Sequence, residues 1–103
     1  MLTVMIHAKI KKEKLAEFLG LIALLVKQTS KKGCISYVFN QNREIPTEFV
    51  LYEQWESQQA LDIHIAQLFD ILGPARPGEP IPERLMDMYE EVKPVFYDVV
   101  GQS

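Results

Sequence analysis

Between Leu2 and Val26 the spacing of the apolar residues changes from two to three and four, and this change of period constrains the fold more than any other feature of the chain. In LTVMIHAKI, Leu2, Val4, Ile6, Ala8 and Ile10 fall on one face and Thr3, Met5, His7 and Lys9 on the other, which is the alternation of a strand. From Glu13 the positions Leu15, Phe18, Leu19, Ile22, Leu25 and Val26 form the stripe of an amphipathic helix that must lie against a core. Ser30-Lys31-Lys32-Gly33 predicts the end of that helix, because lysines suit the negative end of the helix dipole and glycine suits a left-handed cap.

Two strand-like runs follow, Cys34 to Asn40 (CISYVFN) and Glu48 to Trp55 (EFVLYEQW), both rich in aromatic and branched residues. The turn chemistry of QNREIPT between them predicts a hairpin. Ser57 is a candidate N-cap for a second helix with Leu61, Ile65, Leu68, Phe69 and Leu72 inward, ending at Gly73. GPARPGEPIP, residues 73–82, holds four of the six prolines and excludes regular structure. A short helix from Glu83 to Glu91, with Leu85, Met88 and Tyr89 inward, then leads to a last strand from Val92 to Val100.

The order β-α-β-β-α-β is the ferredoxin-like pattern of an α+β domain spanning residues 1–103. Right-handed crossovers place the four antiparallel strands in the order 4-1-3-2, with the last at an edge, where Pro94 is tolerated. One layer of helices covers one face of such a sheet. Yet the strands also carry apolar residues on the other face, Met5, Val50 and Tyr52 beside His7. An uncovered apolar face predicts an interface, most economically a homodimer with two sheets packed face to face.

Composition excludes several functions. At 103 residues, 48 % apolar and 24 % charged, the chain has enough apolar surface for one core and too much for disorder. A net charge of −3 with scattered lysines leaves no footprint for nucleic acid or anionic lipid. The single cysteine, Cys34, forms no internal disulfide, and no histidine or thiol stands at metal-site spacing, so no metal is expected. No apolar run reaches membrane-spanning length, and the N-terminus lacks the basic-then-apolar order of a signal peptide. A reducing, cytoplasmic location fits these features.

The strings KKGCISYVFNQ and FVLYEQWESQQALDIH resemble the antibiotic biosynthesis monooxygenase (ABM) domain family, with its Gly-Cys-x-x-Tyr strand and a Glu-x-Trp-x-Ser-x-x-Ala-Leu-x-x-His junction. The matching positions are Gly33, Cys34, Tyr37, Phe49, Glu53, Trp55, Ser57, Ala60, Leu61 and His64. The resemblance implies a dimeric α/β barrel of ferredoxin-like subunits, whose characterised members include cofactor-free oxygenases of phenols and quinols and haem-degrading monooxygenases. Two departures stand out: Lys32 precedes Gly33 where the family often has Glu-Pro-Gly or Glu-Xaa-Gly before the cysteine, and the proline-rich passage at Gly73 to Pro82 is longer than the usual connection. The haem branch uses an Asn in the first strand, which LTVMIHAKI lacks, and its helix histidine falls one position from His64. An RNA-binding reading of the same fold fails because the exposed aromatic motif is missing and the chain is acidic.

Oxidation of a phenol without flavin or metal needs a base, donors for a developing oxyanion and a dry cavity. His64 is the candidate base or orienter, since an ordinary imidazole titrates near neutral pH. Glu53 is its partner, Tyr37 the oxyanion donor, and Trp55 and Phe49, on the Glu53 face by alternation, are walls. Asn40 is a further polar candidate. It differs from Tyr37 by an odd number of residues, so at most one of them faces a helix-side pocket unless a bulge intervenes. His7 belongs with the uncovered face, Cys34 reads most simply as a small apolar side chain, and Tyr97 is a further polar residue of the last strand.

The expectation is a cofactor-independent monooxygenase acting on a small quinol or phenol held between sheet and helices. The same base without oxygen would serve an isomerase or lyase on a small oxygenated metabolite. Glu53 and His64 could equally satisfy each other as buried polar groups that fix the strand-to-helix corner of a non-catalytic, dimeric small-molecule-binding module.

Overall fold

The computed structural model describes residues 1–29 and 32–103. Strands β1 (Leu2–Ile10), β2 (Cys34–Gln41), β3 (Glu48–Trp55) and β4 (Tyr89–Asp98) form one sheet in the order β2-β3-β1-β4. Every neighbouring pair is antiparallel. Helices α1 (Leu15–Gln28), α2 (Gln58–Leu72) and α3 (Glu83–Met86) complete the ferredoxin-like α+β fold. Among the described residues no helix is long and apolar enough to cross a membrane.

The alternation read in β1 becomes the two faces of the sheet. Val4, Ala8 and Ile10 are buried on the helix side, whereas His7 and Lys9 are exposed on the outer side. A 3-10 turn at Lys12–Lys14 leads into α1, which presents Phe18, Leu21 and Leu25 to the sheet. Phe18 fixes the rotation of this helix, because its ring meets the edges of Phe49 at 4.9 Å, Tyr89 at 6.3 Å and Phe39 at 6.5 Å. Leu21 is therefore inward. Leu19 and Val26, assigned to the stripe on spacing, are 43 % and 42 % exposed.

The end of α1 also differs from the sequence expectation. Its C-cap is Thr29, whose amide and hydroxyl both donate to the Leu25 carbonyl. Ser30 and Lys31, half of the expected stop signal, lie outside the described residues. Gly33 has the expected positive φ of 73°, yet it serves the approach to β2 and not the helix end. Its carbonyl accepts the Glu56 amide at the start of the next corner.

The β2–β3 hairpin is closed by Asn42, whose side-chain oxygen accepts the amides of Glu44 and Ile45. Ser57 caps α2 by accepting the Ala60 amide at 3.2 Å, and Gly73, at φ 90°, ends that helix. The passage 73–82 has no helix or strand. It is tied to α3 by the Glu83 amide on the Pro74 carbonyl and by Arg76, which faces Glu79 at 3.5 Å, Glu83 at 3.3 Å and Asp87 in a direct hydrogen bond. Helix α3 is one turn, shorter than the expected Glu83 to Glu91, because Leu85, Met88 and Tyr89 mimic a helical stripe while Tyr89 already pairs with Ile10. The last strand accordingly starts three residues before Val92 and closes at Asp98.

Gly33 is the position where the close approach of β2 and α2 leaves no room. A Cβ there would lie 2.6 Å from the Ala60 Cβ, on a backbone that other residues rarely adopt. Gly33→Ala is expected to lower the melting temperature by roughly 5 to 15 °C, combining about 1 to 3 kcal/mol of strain with the response of a domain this size. A thermal melt that moves by less than about 2 °C would show that the contact relaxes freely.

Candidate active site

Strand alternation turns Glu53 and Trp55 to the helix side at the end of β3. Seven residues beyond Ser57, His64 falls on the α2 stripe of Leu61, Leu68 and Leu72 and faces the sheet. The three side chains meet inside the protein: Glu53 and His64 are each 4 % exposed and Trp55 is 1 % exposed. The indole Nε1–H donates to Glu53 Oε1 at 2.8 Å, and the same oxygen lies 4.0 Å from His64 Nε2. The rings of Trp55 and His64 are 4.7 Å apart at a tilt of 36°.

Tyr37 joins them because of an irregularity. Cys34 pairs with Trp55, and the register then shifts so that Tyr37 pairs with Glu53. This bulge around Ile35 puts Cys34 and Tyr37 on the same face although they are three residues apart. The Tyr37 ring stands edge-on to His64 at 5.0 Å and to Trp55 at 6.5 Å. Val4, Leu61, Ile6 and Ile65 supply the apolar surround.

Asn40 and Phe49 do not join this cluster. No bulge falls between Tyr37 and Asn40, so Asn40 points to the outer face, where its side-chain amide donates to the Val50 carbonyl at 3.1 Å. Phe49 is on the inner face but two side-chain positions along β3 from Glu53, and it packs with Phe18 in the core beneath α1. A group missed in the sequence is Tyr89. Its spacing predicts an inward residue of a helix, whereas as the first residue of β4 it feels the charge of Glu53.

Electrostatics follow from burial. Desolvation raises the Glu53 carboxyl from 4.5 to about 7, opposed by the Trp55 hydrogen bond that favours the charged form. The Tyr37 and Tyr89 phenols are pushed above their ordinary value by burial first and then by the nearby Glu53 charge. Both stay protonated across the physiological range. The site thus combines a carboxyl poised near neutrality, an imidazole and a phenolic donor in an apolar corner, the components of proton transfer at a bound hydroxyl. Among the described residues, no group of three or more His, Cys, Asp or Glu is placed to hold a metal ion.

The helix layer is incomplete over β4. Phe96 lies opposite Val4 on the inner side yet is 58 % exposed, and Pro94 opposite Ile6 is exposed as well. The corner is therefore flanked by apolar surface open to solvent. A separate concavity of about 830 Å³ lies on the outer face, lined by His7, Lys9, Asn40, Glu48, Val50 and Lys93 among others.

Similarity to known proteins agrees with this architecture. A protein of Nitrosomonas europaea, provisionally named an antibiotic biosynthesis monooxygenase, superposes with a TM-score of 0.78 at 21 % identity, covering 98 % of this chain and 100 % of its own. An antibiotic biosynthesis monooxygenase crystal structure gives 0.73 at 25 % identity, covering 98 % and 100 %. Rv0793 from Mycobacterium tuberculosis gives 0.76 at 18 % identity, covering 99 % and 97 %. No curated protein sequence matches the chain. The family model for antibiotic biosynthesis monooxygenase matches residues 1–67, which run from β1 through the strand-to-helix corner and past His64, and the chain belongs to that family.

Proposed function

We propose that the protein is a cofactor-independent monooxygenase that oxidises a small quinol or phenol beside the corner formed by Glu53, Trp55, His64 and Tyr37. The observation that carries this reading is the burial of a carboxyl, an imidazole and a phenol together in an apolar surround, where a proton can be taken up near neutral pH. His64 acts as base or orienter toward the substrate hydroxyl, with Glu53 accepting the charge that forms. The phenolate, relieved of its proton, gives an electron to dioxygen. Recombination at a ring carbon with return of the proton from His64 forms a hydroperoxide, and loss of water leaves the quinone, so that phenol and dioxygen become quinone and water. Tyr37 donates to the developing oxyanion. The uncovered apolar strip at Ile6, Pro94 and Phe96 supports an approach for a flat aromatic from the β4 side.

The chain is further proposed to work as a homodimer in the cytoplasm. On the outer face Val38, Tyr52, Met5 and Val95 form an apolar row across all four strands. On one side stands a polar row, Ser36, Gln54, Thr3 and Tyr97, and on the other a mixed row in which Val50 lies among Asn40, His7 and Lys93. An apolar centre with polar margins is the composition of a two-fold interface.

A second reading has its own support. The near-complete burial of Glu53, Trp55 and His64 is what a structural lock would show, and it favours a non-catalytic dimeric binding module.

Aerobic incubation with a panel of hydroquinones and phenols is expected to give oxygen uptake that falls by about 100-fold or more in His64→Ala, the range of a lost general base. Uptake no greater than that of His64→Ala would remove the monooxygenase reading, after which turnover that persists without oxygen would point to isomerase or lyase chemistry and no turnover to the binding module.

The folded chain binds a proton at Glu53 between pH 4.5 and about 7 that the unfolded chain has released. Its contribution to stability is therefore full below 4.5 and is lost as pH rises through 7, by on the order of 3 kcal/mol. Denaturant unfolding of Glu53→Gln should lack that slope. An unchanged slope would place the titrating group elsewhere.

The dimer is checked by light scattering. Met5→Lys puts a charge in the apolar row and should halve the molar mass while leaving the circular dichroism spectrum intact. A wild-type mass equal to one chain would remove the interface.

A further inference from the structure

Trp55 is too deeply buried to be a wall for substrate, with 1 % of its surface exposed, and its one polar atom is committed to Glu53. We propose that Trp55 is the positioning residue of this site: its indole N–H holds the Glu53 carboxyl toward His64 and thereby sets where the proton of that pair resides. The inference rests on the reading of Glu53 and His64 as an acid–base pair.

The geometry carries it in three steps. Glu53 and Trp55 are two residues apart on one strand face, so the hydrogen bond at 2.8 Å ties adjacent side chains of the same rigid element. The oxygen that accepts it, Oε1, is the one 4.0 Å from His64 Nε2, and the indole plane also backs the imidazole ring at 4.7 Å. One ring thus fixes the distance between the acid and the base. An indole N–H is a donor with no acceptor capacity, unlike a hydroxyl, which would turn round when the carboxyl gained a proton. With Oε1 engaged as an acceptor, a proton arriving on Glu53 is directed to Oε2.

Among the described residues few titratable groups face Glu53, and Cys34 of β2 acts on Tyr37 beside it. His64 comes from α2, Tyr37 from β2 and Tyr89 from β4, while β1 contributes the apolar Val4 opposite it. The two phenols remain neutral in the physiological range because burial opposes their ionisation. The indole donor favours the carboxylate, desolvation favours the acid, and removal of the donor leaves desolvation unopposed by it.

Trp55 is the chain's one tryptophan, which permits a test without disturbing the packing. Two proteins are prepared: Trp55→Phe, and wild-type sequence grown with β-(3-benzothienyl)alanine in place of tryptophan, an isostere with sulfur where the N–H stands. The Glu53 carboxyl carbon is followed by NMR against pH without substrate, its signal assigned by its loss in Glu53→Gln. The midpoint is expected to rise by about one pH unit or more in both, the effect of losing a hydrogen bond to a charged group. A midpoint within about 0.3 of wild type in the benzothienyl protein overturns the proposal, because that protein lacks only the donor. If Trp55→Phe fails to fold, the benzothienyl protein decides alone. A merely structural indole would change the melting temperature and leave the midpoint in place. Because no turnover is read, failure here and failure of the oxygen-uptake experiment are separate results.

Discussion

A carboxyl placed where water cannot reach it is the constraint around which this corner of the protein is built. Glu53 sits in an apolar surround on the inner face of a sheet, and its charged form is stabilised there by one indole hydrogen bond. Its burial requires β3 to run at full length beneath α2, the Ser57 cap to start that helix in the right phase, and β2 to shift its register so that Tyr37 closes the other side. Gly33 belongs to the same demand, since only a residue without a Cβ lets β2 pass Ala60 of α2. The pieces of this junction are interdependent. A change in any one alters how well a polar group in a dry corner is satisfied.

The two halves of the helix-side core divide the work. Beneath α1, Phe18 meets the rings of Phe49, Phe39 and Tyr89 and anchors one end of the sheet mainly by apolar contact. Beneath α2, the smaller cluster of Val4, Trp55 and Leu61 surrounds polar side chains. Stability concentrated at one end leaves the other free to carry groups that cost folding free energy, a division expected of any scaffold that holds strained or desolvated side chains.

The elements were legible in the sequence where period and punctuation agreed. β1 and β3 follow from alternation, the N-cap at Ser57 from its place before an apolar stripe, and the strand order from handedness, with Pro94 at the edge. The rotation of α1 was not legible, because Leu19 and Leu21 are equally apolar and only the seat of Phe18 chooses between them. The start of β4 was hidden because Leu85, Met88 and Tyr89 fit a helical stripe as well as a turn followed by a strand. At the candidate site, alternation brought Glu53 and Trp55 together. The position of Tyr37 depended on a bulge that leaves no mark in a single sequence, while Asn40 and Phe49 were separated from the cluster by sheet face and by distance along the strand.

The passage of residues 73–82 is rich in proline, yet it ends as part of a small braced unit. Arg76 gathers Glu79, Glu83 and Asp87 around one guanidinium, and the Pro74 carbonyl takes the first amide of α3. The segment is thereby tied to the same short helix by one backbone hydrogen bond and one guanidinium. It is a strut, not a flap. Its brace is to α3 and not to the Glu53–His64 corner, so the open flank of that corner is the apolar edge of β4 at Phe96.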